Sequence, residues 1–248
     1  MRVLAGCEQF GKVREAFRAR GHDAWSCDLK PTRDGSSFHI HGDVLSVLGD
    51  GWDLAIFHPD CTYLTNSAEW AYKDPDFDRY PGVGYHQKLK PGTLFGAERR
   101  KARSDAVAFV MKLLGAPIPR IAIENPIGHL TQHLGSADQT IHPHQFGDDA
   151  SKATCLWLKN LPKLTPTNRV PPRMVDGKPR WGNQTDGGQN KLPPSADRAM
   201  LRAATYPGIA AACADQWGKL AGYPIPMSPL ELAMPFISWA VKNAGAAE

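Results

Sequence analysis

The sequence lacks the patterns that identify several classes of protein. No segment approaches the ~18 consecutive apolar residues of a membrane span, and the first residues lack the longer apolar core of a secretion signal. The five cysteines are odd in number and form no C-x-x-C pair, which argues against a disulfide framework and a zinc cluster. The paired histidines in HIHGD and IHPHQF have no further ligands nearby, so we expect them to be structural and expect no bound metal. These absences predict a cytoplasmic protein with no membrane association.

Neither sign of charge dominates the sequence. Its 29 Lys and Arg residues against 25 Asp and Glu residues leave a net charge of +4, which fits a polyanionic partner without requiring one. The hydrophobic content of 42% and the charged content of 22% are ordinary for a folded globular protein. A length of 248 residues allows one large α/β domain or one domain with a small appendage.

The first turn lacks the glycine pattern of dinucleotide-binding enzymes. It reads AGCEQFG rather than G-x-G-x-x-G, so it has too few glycines for a pyrophosphate to approach the backbone closely. A dinucleotide oxidoreductase is therefore disfavoured. An adenosine linked to methionine has no phosphate to bind and tolerates such a turn.

Apolar strand patterns alternate along the chain with helical patterns, which predicts an α/β fold with a mostly parallel central sheet and helices on both faces. The segment 166–194 is rich in Pro, Gly, Asn and Gln without periodicity, and we expect a long functional loop there. We predict strands at 1–6, 24–29, 38–43, 52–57, 120–124 and 154–158, and helices at 12–20, 104–114, 209–220 and 230–242.

Polar residues stand where five of the predicted strands end. In parallel sheets the ligands bind outside the carboxyl ends of the strands, so we expect these residues to converge at one edge. The strand ends are, in order, Gly6-Cys7-Glu8, Asp28, Gly42-Asp43, His58-Pro59-Asp60-Cys61 and Glu124-Asn125-Pro126.

The ends of the first three strands suit an adenosine ligand. Asp28 follows the glycine turn by about twenty residues, the spacing at which a carboxylate accepts hydrogen bonds from a ribose. Asp43 is placed to accept from an adenine amino group. The alternative is that both are helix caps or surface carboxylates. The predicted cofactor-binding residues are Gly6, Cys7, Glu8, Asp28, Leu29, Asp43, Val44 and Pro59.

Cys61 is the candidate nucleophile. It follows an apolar strand in HPDCTYLTNS, and we expect a thiol in such an exposed turn to ionise more easily than a buried one. The alternative, an ordinary packed cysteine, applies better to Cys27, Cys155 and Cys213, which have apolar or helical neighbours.

The strand-Pro-x-Cys pattern in HPDC and the strand-Glu-Asn pattern in IAIENP resemble motifs IV and VI of the cytosine-C5 DNA methyltransferases. The layout from VLAGCEQFGKVREAFRARGHDAWSCDL through TCLWLKNLP to YPGIAAACADQWG is similar to small phage-encoded members of that family, and the resemblance spans most of the chain. It implies a Rossmann-like class I methyltransferase fold, S-adenosyl-L-methionine as cofactor, double-stranded DNA as partner and, for a phage protein, the host cell cytoplasm.

The resemblance also implies the roles of Cys61, Glu124 and Asn125 as catalytic residues. The thiolate of Cys61 would add to carbon 6 of cytosine, which activates carbon 5 for methylation. Glu124 would hydrogen-bond the N3 and amino edge of the base, and Asn125 with Pro126 would fix the turn that aims it. The base would first be flipped out of the duplex.

The chain departs from the family pattern at several positions. Asp60 stands where the family has a second proline, and a carboxylate there is expected to disfavour the neighbouring thiolate. The Phe-x-Gly-x-Gly of motif I is absent. The basic motif after motif VI is reduced to Ser151-Lys152-Ala153-Thr154, and the length leaves no room for a large target-recognition domain.

Two segments are candidates for DNA contact. The first, 86–103, carries six basic residues against one acidic residue. The second, 178–202, mixes basic residues with amides that can read base edges, and we expect it to make most of the sequence contacts. The alternative for each is a solvated polar surface. We also expect the loop 66–79 to close over the base. The predicted DNA-binding residues are Arg99, Arg100, Arg103, Lys152, Arg180, Gln184, Asn190 and Lys191.

We predict three regions: a catalytic core at 1–165, a recognition region at 166–205 and C-terminal helices at 206–248 that pack back on the core of a monomer. Three other functions stay open. An amino methyltransferase would have an aromatic residue where Cys61 stands. A non-catalytic binding relative would explain Asp60, and a modifier of free cytidine nucleotides would not need the basic segment.

Overall fold

The computed structural model describes residues 1–195 and 197–222. The helix predicted at 230–242 lies outside the described residues. The strands are β1 (Arg2–Gly6), β2 (Asp23–Asp28), β3 (His39–His41), β4 (Leu54–Phe57), β5 (Arg120–Pro126), β6 (Gln139–Ile141), β7 (Thr154–Lys159), β8 (Arg173–Val175) and β9 (Lys178–Arg180). The α-helices are α1 (Lys12–Arg18), α2 (Gly96–Leu114), α3 (Thr131–Leu134), α4 (Arg198–Ala203) and α5 (Pro207–Trp217), and short 3₁₀ helices span Val44–Val47, Glu69–Tyr72, Pro143–Gln145 and Gly218–Leu220.

A seven-stranded mixed sheet in the order β3-β2-β1-β4-β5-β7-β6 forms the centre of the fold. The strands β1 to β5 are parallel to one another, and β7 runs antiparallel to both β5 and β6. The order from β3 to β5 is compatible with a Rossmann-like fold. The predicted α/β class and the mostly parallel sheet are confirmed.

Alternate residues of the central strands pack against helices on opposite faces of the sheet. On one face, Val3 and Ile56 lie in an apolar cluster with residues of α1 and α5, including the fully buried Trp217. On the other face, Phe57 and Ile123 join a second cluster with the apolar side of α2. The expected helices on both faces are therefore present. None of the described helices is long and apolar enough to cross a membrane.

Several predicted boundaries were wrong. The helix α2 begins at Gly96, eight residues before the predicted position 104, because the intervening GAERRKAR is polar and shows no apolar periodicity although most of its residues favour helix. The segment 166–194, predicted to be loop throughout, contains the antiparallel hairpin β8–β9. Its connecting residues Asp176 and Gly177 both have positive φ, as a two-residue Asp-Gly hairpin turn requires. The division into regions at 165 and 205 stays a prediction.

Candidate active site

The strand register brings the predicted polar residues together at the carboxyl edge of the sheet. Gly6 pairs with Cys27 on one side and with Phe57 on the other, and Phe57 pairs with Ile123. The residues that follow these positions are therefore brought to one edge of the sheet although up to 117 positions, from Cys7 to Glu124, separate them in the sequence.

Cys61 lies in the turn that follows β4. Its carbonyl oxygen accepts hydrogen bonds from the amides of Leu64 and Thr65 at 3.0 and 3.1 Å. The Oδ1 atom of Asp60 accepts from the amide and the hydroxyl of Thr62 at 2.8 and 2.6 Å. Asp60 thus shapes the turn that presents the half-buried thiol.

The environment of Cys61 disfavours its thiolate. Burial raises the pKa of the thiol, and the carboxylates of Asp60 and Glu124 raise it further, while Lys152 lowers it. The predicted turn is present, but its thiol is half-buried rather than exposed, so its pKa lies above the ordinary value rather than below it. Asp60 acts in the direction predicted for it.

Glu124 is held between two basic side chains. Oε2 lies 3.4 Å from Nδ1 of His58, and Oε1 lies 3.8 Å from the ammonium of Lys152. Burial raises the pKa of the carboxyl, but Lys152, His58 and a hydrogen bond with Thr154 outweigh that effect and bring the pKa down to about 2. Glu124 is therefore ionised at neutral pH.

The turns that carry Cys61 and follow Glu124 are joined by buried polar contacts. Asn125 is 1% exposed and donates from Nδ2 to the carbonyl oxygen of Pro59 at 3.0 Å. Thr65 and Gly128 form an isolated bridge, and a Cβ on Gly128 would lie 2.1 Å from the carbonyl oxygen of Leu64. Only glycine allows this approach, so the two turns are fixed relative to each other.

Two cavities share Tyr206 as a lining residue, and the smaller of them is also lined by Glu124. The first, of about 20 Å³, is lined at its polar end by His58, Glu124, Lys152 and Tyr206 and at its apolar end by residues of β4, β7, α1 and α5. The second, of about 320 Å³, is more open and is lined by Asn183, Asn190, Lys191, Leu192 and Tyr206. Tyr206 lines both, so the predicted DNA-binding residues Asn190 and Lys191 lie close to the candidate catalytic residues.

The sequence matches no protein-family model and no curated protein.

The predicted cofactor edge surrounds Cys7, which has a left-handed backbone conformation with φ of 59°. Burial raises the pKa of its thiol to about 12, and Asp28, Asp43 and Asp60 contribute in the same direction. These three carboxylates, from the ends of different strands, thus all raise the pKa of the same thiol. A non-glycine residue with positive φ at the end of β1 is the kind of local strain that occurs at functional sites.

Asp28 and Asp43 each use one carboxylate oxygen within the protein. Oδ1 of Asp28 accepts from the amide of Lys30 at 2.9 Å, and Oδ1 of Asp43 accepts from the amide of Leu45 at 2.9 Å, which caps the following 3₁₀ helix. The second oxygen of each carboxylate accepts no hydrogen bond from the residues that the structure describes. Leu29, beside Asp28, is 74% exposed. The capping alternative holds for Asp43, and both residues keep an acceptor for a ligand.

Four other predicted cofactor residues have structural roles: Gly6, Val44, Glu8 and Pro59. A Cβ on Gly6 would lie 2.4 Å from the ring of Phe57 and 2.9 Å from Val44, so packing requires this glycine. Glu8 is buried and accepts from the amide of Val13 at 2.8 Å at the start of α1. Pro59 accepts from Asn125 through its carbonyl oxygen. Cofactor contact by these residues stays a prediction.

The three arginines predicted to bind DNA on α2 are occupied inside the protein. The guanidinium of Arg99 is buried over the ring of Tyr72. Arg100 pairs with Asp74 at 2.9 Å, and Arg103 pairs with Glu69 at 2.5 Å. The placement of positive charge near the start of α2 is thus explained by contacts that hold segment 63–74, directly after Cys61, against the helix. Phosphate contact by these arginines stays a prediction.

The remaining predicted DNA-binding residues divide into two groups. Arg180 donates to the carbonyl oxygen of Asp186, and the side-chain amide of Gln184 bonds the backbone of Trp181 and Gly188, so both hold the loop together. Asn190 bonds only the amide of Leu192 through Oδ1 among the described residues, which leaves its NH₂ group for a ligand.

Sequence reasoning missed several residues that organise the site. Asn183 both accepts from and donates to the backbone of Ser151, at 2.9 and 3.0 Å, and ties the loop to Lys152. Arg14 is fully buried on α1 and bonds Ser26, Glu15 and Asp34. Nothing in the local pattern distinguishes Arg14 from a surface arginine. The described residues contain no group of three or more side chains arranged to hold a metal ion.

Proposed function

We propose that the protein is an S-adenosylmethionine-dependent DNA methyltransferase that acts on carbon 5 of cytosine through a covalent bond to Cys61. The observation that carries this proposal is the buried hydrogen bond from Asn125 to Pro59, which fixes the turn of Cys61 against the strand end that carries Glu124, whose carboxylate lies 3.8 Å from the ammonium of Lys152. A nucleophile beside a carboxylate that can hold the N3 and amino edge of the base is the arrangement that this reaction needs.

Cys61 begins the reaction as a thiolate. Its sulfur forms a bond to carbon 6, the C5=C6 electron pair moves to the C4–C5 bond, and the C4=N3 pair moves to N3, which takes up a proton. Carbon 5 is then nucleophilic enough to accept a methyl group. After methylation, a solvent water molecule takes the proton from carbon 5, the released electron pair re-forms the C5=C6 double bond and the Cys61 sulfur leaves as thiolate, while N3 returns its proton to Glu124.

Lys152 supports both charged partners of the base. Its ammonium lowers the pKa of the Cys61 thiol and that of the Glu124 carboxyl. It therefore acts against burial and Asp60, which both favour the neutral thiol. Lys152 also occupies the reduced basic motif that follows the Glu-Asn strand, so its position agrees with the resemblance to the family.

The edge around Cys7 fits the adenosine part of S-adenosylmethionine. Asp28 and Asp43 keep acceptors for ribose hydroxyl and adenine amino groups, and the exposed Leu29 offers an apolar surface to the purine ring. The bound cofactor would supply the methyl group. The chain would hold it through these side chains without any phosphate contact.

Double-stranded DNA is the proposed partner of a monomeric protein in the host cytoplasm. Asn190 and Lys191 line the larger cavity beside Tyr206, where an amide and a cation could hold nucleotides next to the flipped base. The smaller cavity, at about 20 Å³, has room for no more than a water molecule, so a base that reaches Glu124 through it requires the cavity to widen.

A second candidate is a non-catalytic relative that keeps the binding surfaces. The raised pKa of Cys61, to which Asp60 contributes, favours it. Lys152 opposes that effect, and the coupling of Cys61 with Glu124 has no evident use in binding alone. We therefore favour the enzyme.

The test is incubation of duplex DNA and labelled S-adenosylmethionine with the wild-type protein, Cys61→Ala and Cys155→Ala. Cys155 is buried on the other face of the sheet and controls for loss of a packed thiol. We expect label on cytosine carbon 5 with the wild type and Cys155→Ala only. Equal labelling by Cys61→Ala would overturn the proposal.

A duplex with 5-fluorocytosine provides an independent test. Fluorine replaces the hydrogen that must leave carbon 5, so elimination stops and the Cys61–DNA bond persists. Denaturing mass spectrometry should then find wild-type protein bound to DNA and Cys61→Ala free. Cofactor and DNA that bind without methyl transfer or adduct would instead support the binding relative.

A further inference from the structure

His58 is the nearest side chain to Glu124 from the neighbouring strand. It directly follows β4, one position after the Phe57–Ile123 pair, so it stands beside Glu124 in the parallel register. Both side chains lie on the sheet face that packs against α1 and α5, and both line the smaller cavity. The imidazole Nδ1 is 3.4 Å from Oε2 of Glu124.

The other imidazole nitrogen of His58 has no hydrogen-bond partner among the described residues. The side chain is 9% exposed, and Nε2 is buried. A buried polar nitrogen without a protein partner costs free energy, and the small cavity that His58 lines has room for one water molecule or one ligand atom beside it. The contact with Glu124 therefore uses Nδ1 and leaves Nε2 able to bond a further group.

The charged groups around His58 come from every strand next to it. Glu124 faces it from β5. Glu8 follows β1, and although burial raises the pKa of its carboxyl, His58 acts in the opposite direction. Lys152 shares the cavity from the segment before β7, and Cys213 and Tyr206 line it from α5 and the preceding turn. His58 therefore stands near two carboxylates and one competing cation.

We propose that His58 is a positioning residue that orients the carboxylate of Glu124 and exchanges a proton with it while the base is activated. This inference rests on the proposed methyltransferase reaction. It assigns to His58 a role that Glu124 and Lys152 do not fill.

The need for such a residue follows from the charge of Glu124. Lys152 and His58 hold its pKa at about 2, so the carboxyl carries almost no proton at neutral pH, yet N3 must gain one as the sulfur adds to carbon 6. Imidazole is the side chain that ordinarily titrates in the neutral range. In this step His58 starts as imidazolium, gives its Nδ1 proton to the Glu124 carboxylate and becomes neutral imidazole, Glu124 passes a proton to N3, and both transfers reverse when the carbon–sulfur bond breaks.

The kinetic test compares His58→Asn with the wild type and with His133→Asn, an exposed histidine on α3. Asparagine keeps a donor near the position of Nδ1 but does not titrate. We expect His58→Asn to reduce kcat by about 100-fold, with KM for DNA and cofactor within about twofold, and to lose the pH dependence of kcat between about pH 5 and 8. A wild-type kcat and pH profile in His58→Asn would overturn the role of His58.

Imidazole ¹⁵N resonances provide a readout that does not depend on activity. Glu124→Gln should shift the His58 resonances at neutral pH and leave those of His133 in place, and unchanged His58 resonances would overturn the proposed pairing. A wild-type protein that methylates no DNA would overturn the methyltransferase proposal, whereas a fully active His58→Asn would overturn only the assignment of His58.

Discussion

The ammonium of Lys152 lies 3.8 Å from Oε1 of Glu124 and lowers the pKa of both that carboxyl and the Cys61 thiol. One cation thus stabilises two anions that would otherwise repel each other. The arrangement resolves a conflict in the site, since burial and Asp60 make the Cys61 thiolate unfavourable while the proposed chemistry depends on it.

Removal of the Lys152 charge should slow thiol chemistry at Cys61. Lys152→Met keeps much of the side-chain volume and removes the charge that lowers the Cys61 pKa, so the thiolate fraction at pH 8 should fall severalfold. Iodoacetamide labelling followed by mass spectrometry of the Cys61 peptide measures this rate. Lys152→Arg should stay near the wild type, and an unchanged rate in Lys152→Met would contradict the assigned coupling.

Neutralisation of Asp60 should have the opposite effect. Asp60→Asn retains the Oδ1 acceptor for Thr62 and removes the charge that raises the Cys61 pKa. We expect alkylation of Cys61 at pH 8 to become about two- to tenfold faster and methyl transfer to rise in parallel. Asp60→Glu, which keeps the charge, is the control. A slower or equal rate in Asp60→Asn would remove Asp60 as a cause of the raised pKa.

The buried amide of Asn125 should matter more for stability than a similar exposed amide. Asn125 and Asn160 each donate to a proline carbonyl oxygen, at 3.0 and 2.9 Å, but the Asn125 bond is buried and the Asn160 bond is exposed. Replacement by aspartate abolishes donation in both. We expect Asn125→Asp to lower the free energy of unfolding by more than about 2 kcal/mol and Asn160→Asp by less than about 1 kcal/mol. Urea unfolding measures both, and equal losses would contradict the structural role of Asn125.

The acid stability of the protein should depend on Glu124. The carboxyl has a pKa of about 2 in the folded protein, below its ordinary 4.5, so the stabilisation is present above about pH 4.5 and is lost as the pH falls towards 2. Glu124→Gln should therefore flatten the free energy of unfolding across this window. Glu98→Gln, on the exposed start of α2, is the control. If Glu124→Gln keeps the wild-type slope, the assigned pKa is wrong.

The cofactor edge can be tested without DNA. Asp28→Asn and Asp43→Asn preserve the acceptors for the amides of Lys30 and Leu45, so the local turns should persist. Loss of a charge-assisted hydrogen bond should weaken S-adenosylmethionine binding by about tenfold in each variant, as measured by calorimetry. Asp50→Asn, on the opposite end of the sheet, should bind as the wild type does. Unaltered binding by both edge variants would remove these carboxylates from the site.

Much of the strand framework was readable from the sequence. Apolar runs that end in Gly6, Asp28, Phe57 and Glu124 predicted parallel strands, and the parallel arrangement then placed their polar ends at one edge. The hairpin of β8 and β9 was missed although Asp176-Gly177 is a strong turn signal, because each strand has only three residues and no apolar alternation.

The sequence by itself determined which residues stand at the strand ends, because apolar periodicity and turn residues act over a few neighbouring positions. The tertiary structure decided how the charged groups are used. Arg100 and Arg103 of α2 pair with Asp74 and Glu69, and the arginines of this helix also contact aromatic rings near Cys61. Lys152 and His58 contact Glu124 from other elements. These pairings depend on distance and burial between residues from separate elements, and burial is also the largest cause of the raised pKa of Cys61.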